Sequence, residues 1–281
     1  MGSSLSLALQ RAHKEIHITA IIRKESLKKE ILENGLANEV ILESNFKNNW
    51  KEFQVVIFGT PVSRISELVS NIQDIGDTIF TDMGSTKRTI IEAVRTNNAL
   101  QKNYISSHPM CGSEKSGPFF ADADLYSGKL VFLTESGSTL YETKETIKEF
   151  WESIGSWTLN VSPQVHDEAL AYISHLPHIL STILVDLSVK QNSVSEIGQK
   201  STKPITGGGF RDMSRIAGSN PEMWLAIFNE NRDFVIQALR DFQNELDFVL
   251  HLIQKWDSES KQKLNDYWNN ALDRKKEIRK E

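Results

Sequence analysis

A single cysteine, Cys111, stands among 281 residues. No internal disulfide can form, so a reducing compartment is the natural home and the disulfide-stapled secreted classes are excluded. Positive charge is not in excess either: 32 lysines and arginines face 37 aspartates and glutamates, for a formal net charge of −5. That balance argues against a nucleic-acid partner and against an anionic membrane surface. No apolar run approaches the roughly 20 residues of a membrane span. Met1 to Ala12 has no basic region ahead of an apolar stretch, so it makes a poor secretion signal. Together these absences point to a cytoplasmic protein with no nucleic-acid or membrane partner.

What is present is ordinary for a globular enzyme, with 39% hydrophobic and 25% charged residues. Phe53-Gln54-Val55-Val56-Ile57-Phe58-Gly59 is a nearly continuous apolar run, as a strand buried on both faces should be. Thr60-Pro61 follows as a cap and a first-turn proline, opening a helix through about Ile72. Further strands are expected at Ile16–Ile22, Thr78–Asp82, Lys102–Ser106, Leu130–Leu133 and Trp157–Leu159. Helical patterns separate them, among them one from about Ser26 to Gly35 and one over Leu140–Trp151. Strands alternating with helices imply a parallel sheet covered on both faces. After Asn160 the texture becomes helical. Ser162-Pro163 opens a pattern to about Lys190 that Pro177 interrupts, Asn220-Pro221 opens another, and Asn231–Trp256 and Ser258–Glu281 complete the chain. An α/β domain over residues 1–160 and an all-α domain over 161–281 are therefore expected.

The chemistry is expected around Ser107-His108-Pro109-Met110-Cys111-Gly112-Ser113-Glu114-Lys115-Ser116-Gly117. His108 lies just beyond a strand's carboxyl end, where ligands bind in open α/β sheets. Pro109 pushes it toward extended backbone, and a histidine so held beside a carboxylate can act as a general base near neutral pH. A structural turn is the alternative for this loop taken alone. Four other stretches accompany it: Asp82-Met83-Gly84-Ser85-Thr86-Lys87; His166-Asp167-Glu168-Ala169 with Ser174-His175-Leu176-Pro177-His178; Gly207-Gly208-Gly209-Phe210-Arg211-Asp212-Met213-Ser214-Arg215; and Ser219-Asn220-Pro221-Glu222-Met223-Trp224. As an ordered set covering nearly the whole chain, they resemble the prephenate/arogenate dehydrogenase family of tyrosine biosynthesis.

The resemblance implies a Rossmann-type domain followed by a helical domain that also dimerises. It implies oxidative decarboxylation of prephenate or arogenate with NAD or NADP, in which hydride leaves the carbinol carbon and the ring carboxylate departs as CO2. Carried across by motif, His108 is the base on the ring hydroxyl, and Ser85 sits beside it, or else caps a helix. Arg215 is the carboxylate clamp after the triple-glycine turn at Gly208; a surface arginine is its bland alternative. Asp212 lies three residues before it and could pair with a cation on the same helical face. Glu114 and Ser113 belong to the pocket mouth. His166 and His178 line the substrate side, unless they are ordinary helix-face histidines, and Trp224 is either a ligand contact or core. His108, His166 and His178 contain no compact pair such as His-x-x-x-His, so no metal is expected. On the cofactor side the candidates are Gly2, Arg23, Thr60, Pro61, Asp82 and Ser85.

Two departures from the family pattern matter. The first strand of a Rossmann fold and the first two glycines of its turn are not in the sequence, and Gly2 stands where the last glycine would. The expectation is an N-terminally truncated Rossmann domain whose native start lies upstream. The second concerns the adenosine ribose: Ile22 stands where an acidic residue is usual, and Arg23-Lys24 follow, which favours NADP over NAD. Two rival readings remain. One is another dehydrogenase built from a Rossmann and a helical domain, for which a catalytic lysine in the helical domain would be expected. The other is a catalytically impaired dimeric binding protein, which cofactor binding would distinguish.

Overall fold

The computed structural model describes residues 1–112 and 117–279. Among the described residues, seven strands carry the first half of the chain: β1 Thr19–Ile22, β2 Glu39–Leu42, β3 Val55–Phe58, β4 Ile79–Asp82, β5 Ile105–Pro109, β6 Leu130–Glu135 and β7 Trp157–Asn160. Helices alternate with them: α1 Gly2–Ala12, α2 Lys28–Glu33, α3 Val62–Asn71, α4 Arg88–Thr96 and α5 Tyr141–Ser153. Then come α6 Pro163–Leu170, α7 Leu176–Val189, α8 Asn192–Lys200, α9 Gly208–Ser214, α10 Pro221–Glu230, α11 Arg232–Lys255 and α12 Ser258–Arg279. Residues Met1–Arg232 form one compact unit and Asp233–Glu281 another.

Parallel pairing joins β1 to β2, β3 to β4 and β6 to β7, and a parallel bridge between Phe80 and Tyr104 links β4 to β5. The pair β5–β6 departs from the expected parallel sheet: it is antiparallel, with His108 opposite Phe132. Its cause is the connection from Pro109 to Leu130, whose described residues hold a 3-10 turn at Pro118–Phe120 and no crossover helix to bring the chain back in the same direction. β2 was not apparent from the sequence. It is four residues long, its Glu39 is exposed, and only Val40 is fully buried.

Two cores clasp the sheet. Phe58, Phe80, Trp50, Ile65, Val69, Ile90 and Val94 lock α3 and α4 against one side. Leu5, Leu9, Tyr126, Val131, Leu133, Ile147 and Trp151 do so with α1 and α5 on the other. Residues spaced for one helical face supply both, as in Ile90, Ile91 and Val94 of α4. Each fully buried side chain of this kind contributes about 1.5–3 kcal/mol.

Local chemistry sets the helix starts that position the site. Ser162 accepts from the Val165 N–H and Asn220 from those of Glu222 and Met223, each followed by proline at the first helical position. Thr60, expected as the cap of α3, does not cap it: the helix starts at Val62 behind Pro61. Ahead of Pro177, the turn Ala171–His175 widens into a π-helix, which accommodates the ring and delivers His175 to the interior. Within Pro163–Val189 an 18-residue segment reaches a mean hydropathy of 1.3, so the stretch is long and apolar enough to cross a membrane by length and composition. Its polar residues break every apolar run, so no uninterrupted span is visible in the sequence. Four of them, His166, Asp167, His175 and Ser181, are buried.

Candidate active site

The site is built on a buried polar network at the carboxyl ends of β4 and β5. Asp82 is fully buried. Its Oδ1 accepts from Lys87 Nζ at 2.6 Å and from the Gly84 N–H at 2.7 Å, while Oδ2 accepts from Tyr104 Oη at 2.8 Å and from Ser106 Oγ. Lys87, also fully buried, places its other two donors on Ser106 Oγ and the Ser107 carbonyl, both at 2.8 Å. All three ammonium hydrogens are thereby used. Gly84 is required at this turn, because a Cβ there would lie 2.7 Å from Ile90 Cδ1 and 3.0 Å from Asp82 Oδ1.

His108 ends this scaffold, half-buried at the end of β5. Its Nδ1 lies 2.8 Å from His166 Nε2, and His166 Nδ1 lies 2.7 Å from Asp167 Oδ1. Burial, then the neighbouring His166 and Lys87, push the His108 pKa well below its ordinary value, so the ring is neutral at physiological pH. Burial lowers His166 likewise, against the pull of Asp167. Burial also opposes ionisation of Asp167, but the His166 ring and the backbone N–H groups of Arg88 and Lys87 hold its carboxyl below the usual range. Asp167 therefore caps α4 from another helix, accepting the Lys87 and Arg88 N–H groups at 2.8 and 2.9 Å.

The second wall is aromatic. The His178 ring lies 3.9 Å from that of Trp224, and Phe228 follows at 5.5 Å. His178 Nδ1 donates to the Ser174 carbonyl at 2.9 Å, which leaves Nε2 for a ligand. Burial lowers the His178 pKa, and the charge of Arg215 adds to the shift. The indole Nε1 of Trp224 is buried with no hydrogen-bond partner among the described residues. Behind this wall His175 meets Asn231 Nδ2 at 3.2 Å, and burial pushes its pKa down to about 4.

Of the residues singled out in the sequence, His108, His166, His178, Arg215 and Trp224 lie on these connected elements, and Ser85 lies on the turn from β4 to α4. Ser85 is half-buried and caps no helix, since α4 begins at Arg88 with Asp167 on its first N–H groups. His166 is 1% exposed, so it stands behind His108 rather than on the substrate side. Asp82, expected on the cofactor side, has both oxygens occupied by internal donors and supports the site from beneath. Arg215, Asp212 and Gly208 are exposed, as are Gly2, Arg23 and Pro61. Ser113 and Glu114 lie outside the described residues. Lys87 and Asp167 escaped sequence reasoning as roles, although both stood in quoted motifs.

Groups of the kind that hold a phosphate lie at the carboxyl ends of β1 and β3. Arg23 and Lys24 follow β1 with both side chains exposed. After β3, a Cβ on Gly59 would come within 2.8 Å of Met83 Cε, and the Thr60 hydroxyl is buried with no partner among the described residues. Close-approaching backbone, an orphan hydroxyl and two free cations are the groups a phosphate-bearing ligand needs. Among the described residues no cluster of three metal-ligating side chains occurs.

The chain is similar to known prephenate dehydrogenases over most of its length. The family model for the nucleotide-binding domain of prephenate dehydrogenase matches residues 5–159, and that for its dimerization domain matches residues 162–268. The chain is 30% identical over 269 residues to a prephenate dehydrogenase of Lactococcus lactis, covering 92% of this chain and 70% of that one. A prephenate dehydrogenase of Bacillus subtilis is 28% identical over 276 residues, covering 97% and 72%. The crystal structure of A. aeolicus prephenate dehydrogenase in complex with hydroxyphenyl propionate and NAD+ superposes with a TM-score of 0.83 at 29% identity, covering 98% of this chain and 94% of that one.

Proposed function

The chain belongs to the prephenate dehydrogenase family, and from that premise we propose that it oxidises and decarboxylates prephenate or arogenate, with NADP+ preferred over NAD+. The observation that carries the reading is His108, a neutral imidazole at a strand's carboxyl end with one ring nitrogen anchored to His166. Its other nitrogen takes the proton of the ring hydroxyl as the carbinol carbon is oxidised. A bound nicotinamide supplies the hydride acceptor. Loss of the ring carboxylate as CO2 makes the ring aromatic, so the driving force is in the substrate and the protein's work is positioning and proton removal.

Arg215 holds a substrate carboxylate through paired N–H donors, and the unpartnered Trp224 indole N–H and His178 Nε2 complete the polar wall. Ser85 sits beside the reacting carbon. Asp212 belongs to the rim beside Arg215, and Gly208 to the backbone turn that lets a ligand approach. Gly2, Thr60 and Pro61 line the dinucleotide, and Arg23 with Lys24 binds a 2′-phosphate that no acidic residue repels. The division into an α/β domain over 1–160 and a helical domain over 161–281 follows the change in texture after Asn160. Exposed apolar side chains on the helical part, among them Leu187, Val189, Leu225 and Met213, are the surface for a second copy, giving a cytoplasmic homodimer.

The test is absorbance at 340 nm with prephenate or arogenate against NADP+ or NAD+. A rise that His108→Asn abolishes supports the reading, and a lower KM for NADP+ than for NAD+ supports the cofactor preference. Equal use of both cofactors, or tighter NAD+, would overturn that preference.

A further inference from the structure

The hydrogen bonds behind His108 determine which of its nitrogens is the base. Asp167 is an acceptor only. Besides His166 Nδ1, its oxygens take the N–H groups of Lys87 and Arg88 and, at 3.3 Å, Arg88 Nε. An ionised carboxylate surrounded by four donors gives no hydrogen to His166, so His166 Nδ1 carries its own. A neutral imidazole has one N–H, which leaves His166 Nε2 bare and able only to accept. The 2.8 Å contact to His108 then requires the hydrogen on His108 Nδ1. His108 Nε2 is left with the lone pair.

We infer that His166 and Asp167 are positioning residues that hold His108 in the Nδ1–H tautomer, so that Nε2 is the base, and that Asp167 anchors this chain to the first turn of α4. The inference deepens the proposed dehydrogenase reading and rests on it for the identity of the base. The packing supports a neutral relay. The His166 ring is 1% exposed and meets the Phe132 ring nearly edge-on at 5.3 Å. The charged and titratable groups about the pair are Lys87 just ahead of α4, Asp82 from β4, Asp167 from α6 and His175 from the π turn. When Nε2 takes the substrate's hydroxyl proton, the O–H bonding pair stays on oxygen and the proton stays on His108. Its Nδ1–H bond to His166 becomes charge-assisted, and the Asp167 carboxylate faces the new imidazolium through one intervening ring. A free histidine in water favours the opposite tautomer, with hydrogen on Nε2, which cannot accept the substrate's proton. The relay therefore supplies orientation and tautomer together, as a carboxylate does for the histidine of a hydrolase triad.

The experiment reads the tautomer directly. The full chain carrying 15N-histidine is examined by two-bond 1H–15N spectroscopy at neutral pH, with His108 assigned by its loss in His108→Asn. The expected result is the Nδ1–H pattern for His108 in the wild type and the Nε2–H pattern, or a mixture, in His166→Phe. In the 340 nm assay His166→Phe is expected to lose about 100-fold in kcat with KM nearly unchanged. His166→Gln, whose amide oxygen can accept from His108 Nδ1, is expected to recover part of that loss. Wild-type His108 in the Nε2–H form overturns the inference, and so does a His166→Phe protein with unchanged tautomer and unchanged kcat. Because the spectrum needs no substrate, failure of the relay is distinguishable from failure of the dehydrogenase reading.

Discussion

The proton-handling side of the site and the anion-holding side are built in opposite ways. Around His108, Lys87 and Asp82, the charged and polar groups are buried and paired with one another at close range. At Arg215, Arg23 and Lys24 the cations face solvent. A base needs a defined tautomer and an unprotonated ring, which burial and fixed partners supply. A carboxylate or phosphate clamp needs free donors until its ligand arrives, so pairing it internally would defeat it. Substitutions on the first side should therefore change kcat or stability, and substitutions on the second should change KM.

The largest effect is expected from His108→Asn, which removes the base. kcat at 340 nm should fall by about 10²–10⁴-fold with little change in KM; a purely KM effect would erase the distinction between the two sides. Next comes Lys87→Met. Breaking a buried ion pair leaves the Asp82 carboxylate uncompensated and should cost about 3–5 kcal/mol in urea unfolding. The double variant Lys87→Met/Asp82→Asn should recover part of that loss, since no charge is then stranded. On the exposed side, Arg215→Ala should raise KM for the substrate about 10- to 100-fold, from the loss of a charge-assisted pair, with the unfolding midpoint unchanged. Arg23→Ala should be the mildest of the substitutions, raising KM for NADP+ several-fold and leaving NAD+ alone.

Acidity sharpens the same contrast. His108, His166 and His175 have folded pKa values below their unfolded value near 6.5, His175 at about 4. Below pH 6.5 the unfolded chain binds protons that the folded one refuses, so stability is full above that pH and falls as pH drops toward 4. Urea unfolding between pH 7.5 and 4 should show this slope, and His175→Gln should reduce it.

Much of this organisation was legible in the sequence. Ser162-Pro163 and Asn220-Pro221 announced their helices because capping is a local property. The run Val55–Phe58 announced its strand because burial on both faces demands continuous apolar residues. Lys87 was not legible as a core residue, since a lysine reads as solvated until Asp82, Ser106 and the Ser107 carbonyl are seen around it. Nor was the bond between His108 and His166, which are 58 residues apart and meet where Asp167 grips the start of α4. Antiparallel β5–β6 pairing was hidden because it depends on the path between the strands and not on their composition.

The proposed role of His108 as the base of a prephenate or arogenate dehydrogenase is tested most simply by the initial rate at 340 nm with prephenate and arogenate, for wild type and His108→Asn side by side. Wild type is expected to reduce the dinucleotide with one or both substrates, and His108→Asn to lose at least about 100-fold. A His108→Asn protein that keeps its rate, or a wild type that binds dinucleotide yet oxidises neither substrate, would contradict it.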